Sequence, residues 1–183
     1  MKEYGIDAVP MQHAKMDEWR ENFVGVQYHH KVTNLIITGA VDDLWINPAG
    51  EVIIVDYKAT SKDEAVNLDA EWQRGYKNQM EIYQWLLRQN GFTVSNVGYF
   101  VYANGQKDRK AFDGKLEFDV SVLPYEGNDN WVEGVIKNAH ACMMGDVLPD
   151  YATECDYCTY RQAAEVVEAN FSKKLAKQQA SLF

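Results

Sequence analysis

Glu51-Val52-Ile53-Ile54-Val55-Asp56-Tyr57-Lys58 decides how this chain is read: an apolar run with the character of a strand, closed by charged residues. Side chains alternate faces along a strand, so Asp56 and Lys58 point one way while Val55 and Tyr57 point the other. A carboxylate and an ammonium therefore stand side by side at a strand end. Upstream, Gly39-Ala40-Val41-Asp42 closes much of a stretch, residues 24–46, that is rich in Val, Ile, Thr and Tyr and reads as extended. The turn signal Asn47-Pro48-Ala49-Gly50 folds that stretch back along Glu51–Lys58 and brings Asp42 near Asp56.

Register decides whether the two carboxylates can cooperate. If the turn closed with Ile46 opposite Glu51, Asp42 would face Val55 and lie on the other side of the sheet from Asp56. A loop of odd length, a bulge or a divergence between residues 43 and 55 sets Asp42 opposite Asp56, with Asp43 on the other face. Two convergent carboxylates are the hard oxygen ligands that Mg²⁺ or Mn²⁺ takes, with the remaining positions left to water and phosphate. Such an ion polarises a phosphoryl oxygen and acidifies a water, and Lys58 would orient that water or help deprotonate it. The chemistry expected is phosphodiester hydrolysis. For a lone D-x-K the alternative is a solvated ion pair at a strand end.

Working outward, residues 11–23 read as a helix with Met16, Trp19 and Phe23 on one face. From Leu68 to Asn90 the residues Trp72, Tyr76, Met80, Tyr83, Leu86 and Leu87 recur at helical spacing, and Gly91 supplies the stop. Gln79 lies on that inward stripe and Glu81 off it. Val94–Ala103 and Lys115–Leu123 read as a hairpin around the polar loop Asn104–Gly114. Asn130–Met144 and Thr159–Ala180 read as helices. This order predicts an α/β fold of mixed α+β type. No repeat, low-complexity tract or linker interrupts it, so residues 1–183 are expected to form one domain, with a core at about 25–161 and a C-terminal helix at 159–180.

The chain has 183 residues, 46% of them apolar and 13% aromatic, ample material for a core. It has no run approaching the roughly 20 apolar residues of a membrane span, and Met1–Pro10 lacks the layout of a signal peptide, so a soluble cytoplasmic protein is expected. The net charge of -9 argues against nonspecific attraction to nucleic acid, although a cation site itself needs carboxylates. Lys107, Arg109 and Lys110 form the densest basic cluster and are a candidate phosphate contact, against the alternative of a solvated hairpin tip.

Gly39-x-x-Asp42 followed fourteen positions later by Asp56-x-Lys58 resembles the paired motifs of the PD-(D/E)XK nuclease superfamily. Gln79-Met80-Glu81-Ile82-Tyr83 is similar to the Q-x-x-x-Y motif of its RecB-type branch, which includes the CRISPR adaptation nucleases. Gln79 and Tyr83 are one helical turn apart and share a face. The resemblance spans roughly residues 25–161. It implies a restriction-endonuclease-like core, a mixed β-sheet flanked by helices, and a divalent-metal-dependent DNA nuclease. It also implies Asp42 and Asp56 as ligands of Mg²⁺ or Mn²⁺, the backbone carbonyl of Tyr57 as a third, and Lys58 as the catalytic lysine. Gln79 and Tyr83 would face the active site or DNA. The implied substrate is DNA, as single strands or ends for an exonuclease, and the implied partner is a protein of a DNA repair, recombination or CRISPR adaptation complex. The alternative is a catalytically inactive module of this fold that binds DNA or protein; the joint presence of Asp42, Asp56 and Lys58 favours activity.

Cys155-Asp156-Tyr157-Cys158-Thr159-Tyr160-Arg161 resembles the C-terminal cysteine segment of the same branch, where four cysteines hold an iron–sulfur cluster. That pattern expects a cysteine near position 164, here Ala164, and one upstream of the core, whereas none precedes Cys142. No iron–sulfur cluster is expected. His140-x-Cys142 with Cys155-x-x-Cys158 does supply four soft ligands for a zinc ion, against the reading of three unligated thiols. The family also carries a metal-binding His on a helix before the first motif. His13 lies in a predicted helix whose surroundings do not match, and His29 and His30 lie on a strand, so no histidine is assigned.

Overall fold

The computed structural model describes residues 1–111, 113–147, 149–152 and 154–180, and of 174–180 the backbone alone. The elements in chain order are β1 (Val9–Pro10), α1 (Met16–Arg20), β2 (Val26–His30), β3 (Leu35–Gly39), β4 (Asp43–Ile46), β5 (Val52–Thr60), α2 (Arg74–Gln89), β6 (Val97–Gly105), β7 (Phe118–Glu126), α3 (Val132–Met144) and α4 (Asp156–Ala180). Two compact units are formed, Met1–His140 and Ala141–Phe183. No helix among the described residues is long and apolar enough to cross a membrane.

In the first unit five strands make one mixed sheet in the order β1-β4-β5-β6-β7, and β2 and β3 form a separate antiparallel hairpin. β5 and β6 are parallel, and the crossover that a parallel pair requires contains α2. Val52 to Val55 are all buried because β5 is central and covered on both faces. Val52 and Ile54 pack with Leu44, Met80, Leu86 and Phe100, whereas Ile53 and Val55 pack with Ala8 and Trp45. Even-numbered positions of β5 thus share the α2 side. Val132 and Ile136 of α3 and Trp19 of α1 belong to the same cluster as α2. This is the mixed sheet flanked by helices that the resemblance implies.

The β4–β5 connection, Asn47–Glu51, is of odd length: Ile46 pairs with Val52 and Asp43 with Val55. Asn47 closes it twice, accepting from the Glu51 amide through Oδ1 at 2.9 Å and donating its own amide to the Glu51 carbonyl at 3.1 Å. Gly50 supplies the left-handed residue, with φ of 80°.

Three expectations change in detail. The helix expected over residues 11–23 contracts to α1, because the Met11 amide is taken by the Leu44 carbonyl beside β1 and the chain turns extended at Glu21. Phe23, expected on its inner face, is 98% exposed. The extended stretch 24–46 divides into three strands, with a left-handed Asn34 (φ 57°) between β2 and β3. The long helix begins at Arg74 rather than Leu68, preceded by a short 3₁₀ turn at Glu71–Gln73. Glu81 is a correction of another kind. Expected off the inward stripe, it is 7% exposed. It accepts from the Tyr125 hydroxyl at 2.7 Å, the Asn128 amide at 3.1 Å and Trp131 Nε1 at 2.5 Å. α2 is covered by the sheet and also by the 125–131 segment, so more of its circumference is buried than one stripe.

Candidate active site

β5 runs out of its apolar stretch at Asp56, and the strand's alternation turns Asp56 and Lys58 toward α2. Asp56 is 2% exposed. Lys58 Nζ lies 2.5 Å from Asp56 Oδ2, 3.5 Å from Gln79 Oε1 and 4.4 Å from the centroid of the Tyr76 ring. Gln79 in turn donates from Nε2 to the Tyr83 hydroxyl at 2.6 Å. Tyr76, Gln79 and Tyr83 stand on successive turns of α2, so one helix face lines the ammonium. Gly39 has a packing reason: a Cβ there would come within 2.6 Å of Tyr83 Cε1 and 3.1 Å of Leu86 Cδ1. The end of β3 therefore presses directly on the ring that Gln79 holds.

Asp42 immediately precedes β4. In the β4–β5 register the next pair beyond Asp43 and Val55 is Asp42 with Asp56, the arrangement that puts both on one face. Asp42 Oδ2 accepts the Tyr57 amide at 2.8 Å, which ties it to the backbone one residue past Asp56. Its neighbour points elsewhere. Asp43 receives Arg20 Nη2 at 2.6 Å, the Tyr57 hydroxyl at 2.9 Å, its following amide at 2.9 Å and Trp45 Nε1 at 3.3 Å. Arg20 also donates from Nε to the Asp42 carbonyl at 3.0 Å, fixing the backbone between the two aspartates. No sequence signal marks Arg20, whose role depends on a fold that brings α1 to β4. Tyr76 was legible as a stripe residue, but its place under Lys58 was not.

Burial pushes the Asp56 carboxyl above the usual carboxylate range; the adjacent Lys58 ammonium acts against that shift, and the charge of Asp42 adds to it. Oδ2 is buried with no donor at hydrogen-bonding geometry, although the Lys58 ammonium is close to it. The ammonium meets the charge of this oxygen without donating a hydrogen bond to it, so Lys58 alone does not satisfy it. A buried carboxylate that Lys58 does not fully satisfy, close enough to Asp42 to feel its charge, offers with it the hard oxygen donors that fit a divalent cation. Burial likewise raises the Tyr83 phenol above its ordinary value, opposed by its Gln79 hydrogen bond and reinforced by the charges of Asp56 and Asp42.

The other candidates lie elsewhere. His13 stacks on Trp19 with centroids 4.3 Å apart, His29 Nε2 meets Asn34 Oδ1 at 2.9 Å, and buried His30 lies between Thr33 Oγ1 at 2.7 Å and Glu133 Oε1 at 3.1 Å. His140 is half-buried in α3. Cys142, Cys155 and Cys158 are free thiols, and the Cys158 amide donates to Cys155 Sγ at 3.4 Å. Among the described residues no group of three or more His, Cys, Asp or Glu side chains gathers to hold an ion. In the β6–β7 loop Lys107 pairs with Asp63 at 3.0 Å and Arg109 with Glu117, so two of the three cations considered for phosphate already face carboxylates.

The sequence model of the PD-(D/E)XK nuclease superfamily matches residues 6–163 of the chain. No curated protein and no solved structure matches it.

Proposed function

The chain belongs to the PD-(D/E)XK nuclease superfamily, and from that premise we propose that it is a deoxyribonuclease that hydrolyses phosphodiester bonds with Mg²⁺ or Mn²⁺. The observation that carries the reading is the buried Asp56 carboxylate, with Lys58 at 2.5 Å and with Asp42, one position beyond the last ladder pair, bound to the Tyr57 amide at 2.8 Å. Asp42, Asp56 and the Tyr57 carbonyl would hold the cation. When bound, it supplies Lewis acidity toward a phosphoryl oxygen and an acidified water.

The chain's own residues do the rest. Asp56 and Tyr76 hold the Lys58 ammonium at the strand end, where it can donate to a water or to a phosphoryl oxygen gaining negative charge. Gln79 positions Lys58 by accepting from it while donating to Tyr83. This Gln79–Tyr83 pair is also what supports a place in the RecB-type branch. A role at DNA ends, in repair, recombination or CRISPR adaptation, follows from that branch alone.

The test is incubation of linear and circular, single- and double-stranded DNA with Mg²⁺, with Mn²⁺ or with EDTA. Cleavage with either ion and none with EDTA is the expected result, and loss of linear forms with circles intact would place the activity at ends. Binding without cleavage under every condition would assign the chain instead to the inactive modules of this fold.

A further inference from the structure

We propose that Trp72, together with Tyr76 and Lys62, forms a stacking platform that leads single-stranded DNA to Lys58. The proposal rests on the nuclease reading above and names its substrate class.

Trp72 is 59% exposed on the short 3₁₀ turn at the entrance to α2. Its ring meets Tyr76 edge-on, with centroids 5.5 Å apart and planes at 83°. Lys58 Nζ sits 4.4 Å above Tyr76, and Lys62 Nζ sits 5.1 Å above Trp72. Ammonium, phenol, indole and ammonium thus follow one another outward from the candidate site. A strand with unstacked bases offers π faces to the rings and phosphates to the cations at once. A duplex keeps its base faces inside the stack and can use only the cations.

The platform is set before any ligand arrives. Gln73, fully buried beside Trp72, donates from Nε2 to the Asn67 carbonyl at 2.6 Å and accepts the Ala70 amide at 2.9 Å. Asn104, at the end of β6, takes the Lys62 amide at 2.8 Å and donates to the Lys62 carbonyl at 3.0 Å. Lys107 neutralises Asp63, the acidic neighbour of Lys62. An exposed indole on so well tied a backbone loses little freedom on binding. In a chain of net charge -9 the run places two ammoniums beside the rings, Lys58 already paired with Asp56 and Lys62 over the Trp72 face.

The experiment is an anisotropy titration of the full chain with labelled oligothymidylate of about 20 nucleotides, longer than a single-strand site of this kind, and with a duplex of equal length, Ca²⁺ replacing Mg²⁺. Trp72→Ala is expected to weaken single-strand binding about tenfold while leaving duplex binding unchanged. Trp72→Phe should restore most of the loss, and Lys62→Ala should weaken single-strand binding and flatten its salt dependence. Unchanged single-strand affinity in Trp72→Ala, or equal losses on both DNAs, overturns the proposal. Cleavage measured in parallel separates the two readings: Trp72-independent cleavage removes the platform and keeps the nuclease, whereas Trp72-dependent binding without cleavage removes the nuclease and keeps the platform.

Discussion

The Tyr57 amide donates to Asp42 Oδ2 at 2.8 Å. That bond ties a residue outside the sheet ladder to the strand that carries Asp56, and Arg20 holds the Asp42 carbonyl from the other side at 3.0 Å.

Removing either carboxylate should therefore cost chemistry rather than fold. Asp42→Ala, Asp56→Ala and Lys58→Ala are each expected to lower metal-dependent cleavage by at least about 100-fold, the scale on which removal of one transition-state charge contact acts. Asp43→Ala should behave differently. It strips the partners of Arg20 and of the Tyr57 hydroxyl, lowers stability and reduces cleavage only partly. Steady-state rates with thermal melts on the same samples make the comparison, and full activity in Asp56→Ala would sink the metal assignment.

Gln79 and Glu81 should separate function from stability. Glu81→Ala leaves the Trp131 indole, the Tyr125 hydroxyl and the Asn128 amide without their buried acceptor, at a cost of about 2–4 kcal/mol. Gln79→Ala should change stability by less than about 1 kcal/mol and lower kcat, since its partners Lys58 and Tyr83 lie in the candidate site. Urea unfolding beside cleavage rates measures both, and a Gln79→Ala protein with unaltered kcat would remove this residue from the machinery.

The proton on Asp56 sets a pH dependence. Because burial raises its carboxyl in the folded protein, Asp56 keeps its proton to higher pH than an exposed aspartate, and a protonated carboxyl does not ligate. Cation binding should then release a proton and tighten as pH rises through the raised value, levelling off above it. The metal-free protein has the opposite trend from the same group: the contribution is fully present below the unfolded carboxylate value and is lost as pH climbs through the folded one. Calorimetric titration with Mn²⁺ at several values between roughly pH 4 and 8 should show affinity rising through the lower part of that range. Constant affinity across the range contradicts the role given to Asp56.

Gly39→Ala tests the contact between β3 and the helix. The added methyl meets the Tyr83 ring and Leu86, so a destabilisation of about 1–3 kcal/mol is expected, with a fall in cleavage as Tyr83 and Gln79 shift. A melting temperature equal to that of the parent would show that this junction has slack.

How far the sequence alone carried the candidate site depends on the reach of each signal. Strand alternation placed Asp56 and Lys58 on one face, and helical spacing placed Gln79 and Tyr83 one turn apart, because both are properties of a single element. The odd β4–β5 loop was legible only through chemistry: two carboxylates of use to one cation require it, and Asn47 and Gly50 can build it. Arg20 carried no signal, since its partners Asp42 and Asp43 are reached only when α1 docks beside β4.

By itself the sequence determined the strand and its charged end, the main helix, the mixed α/β order and the superfamily. Tertiary structure decided that Glu81 is interior, that Phe23 is not, and that of two adjacent aspartates Asp43 is saturated by Arg20 and Tyr57 while Asp42 takes the Tyr57 amide. Periodicity reports which side of an element a residue occupies. It does not report how many sides of that element other surfaces will cover, and that is fixed only when the helix and sheet close on each other.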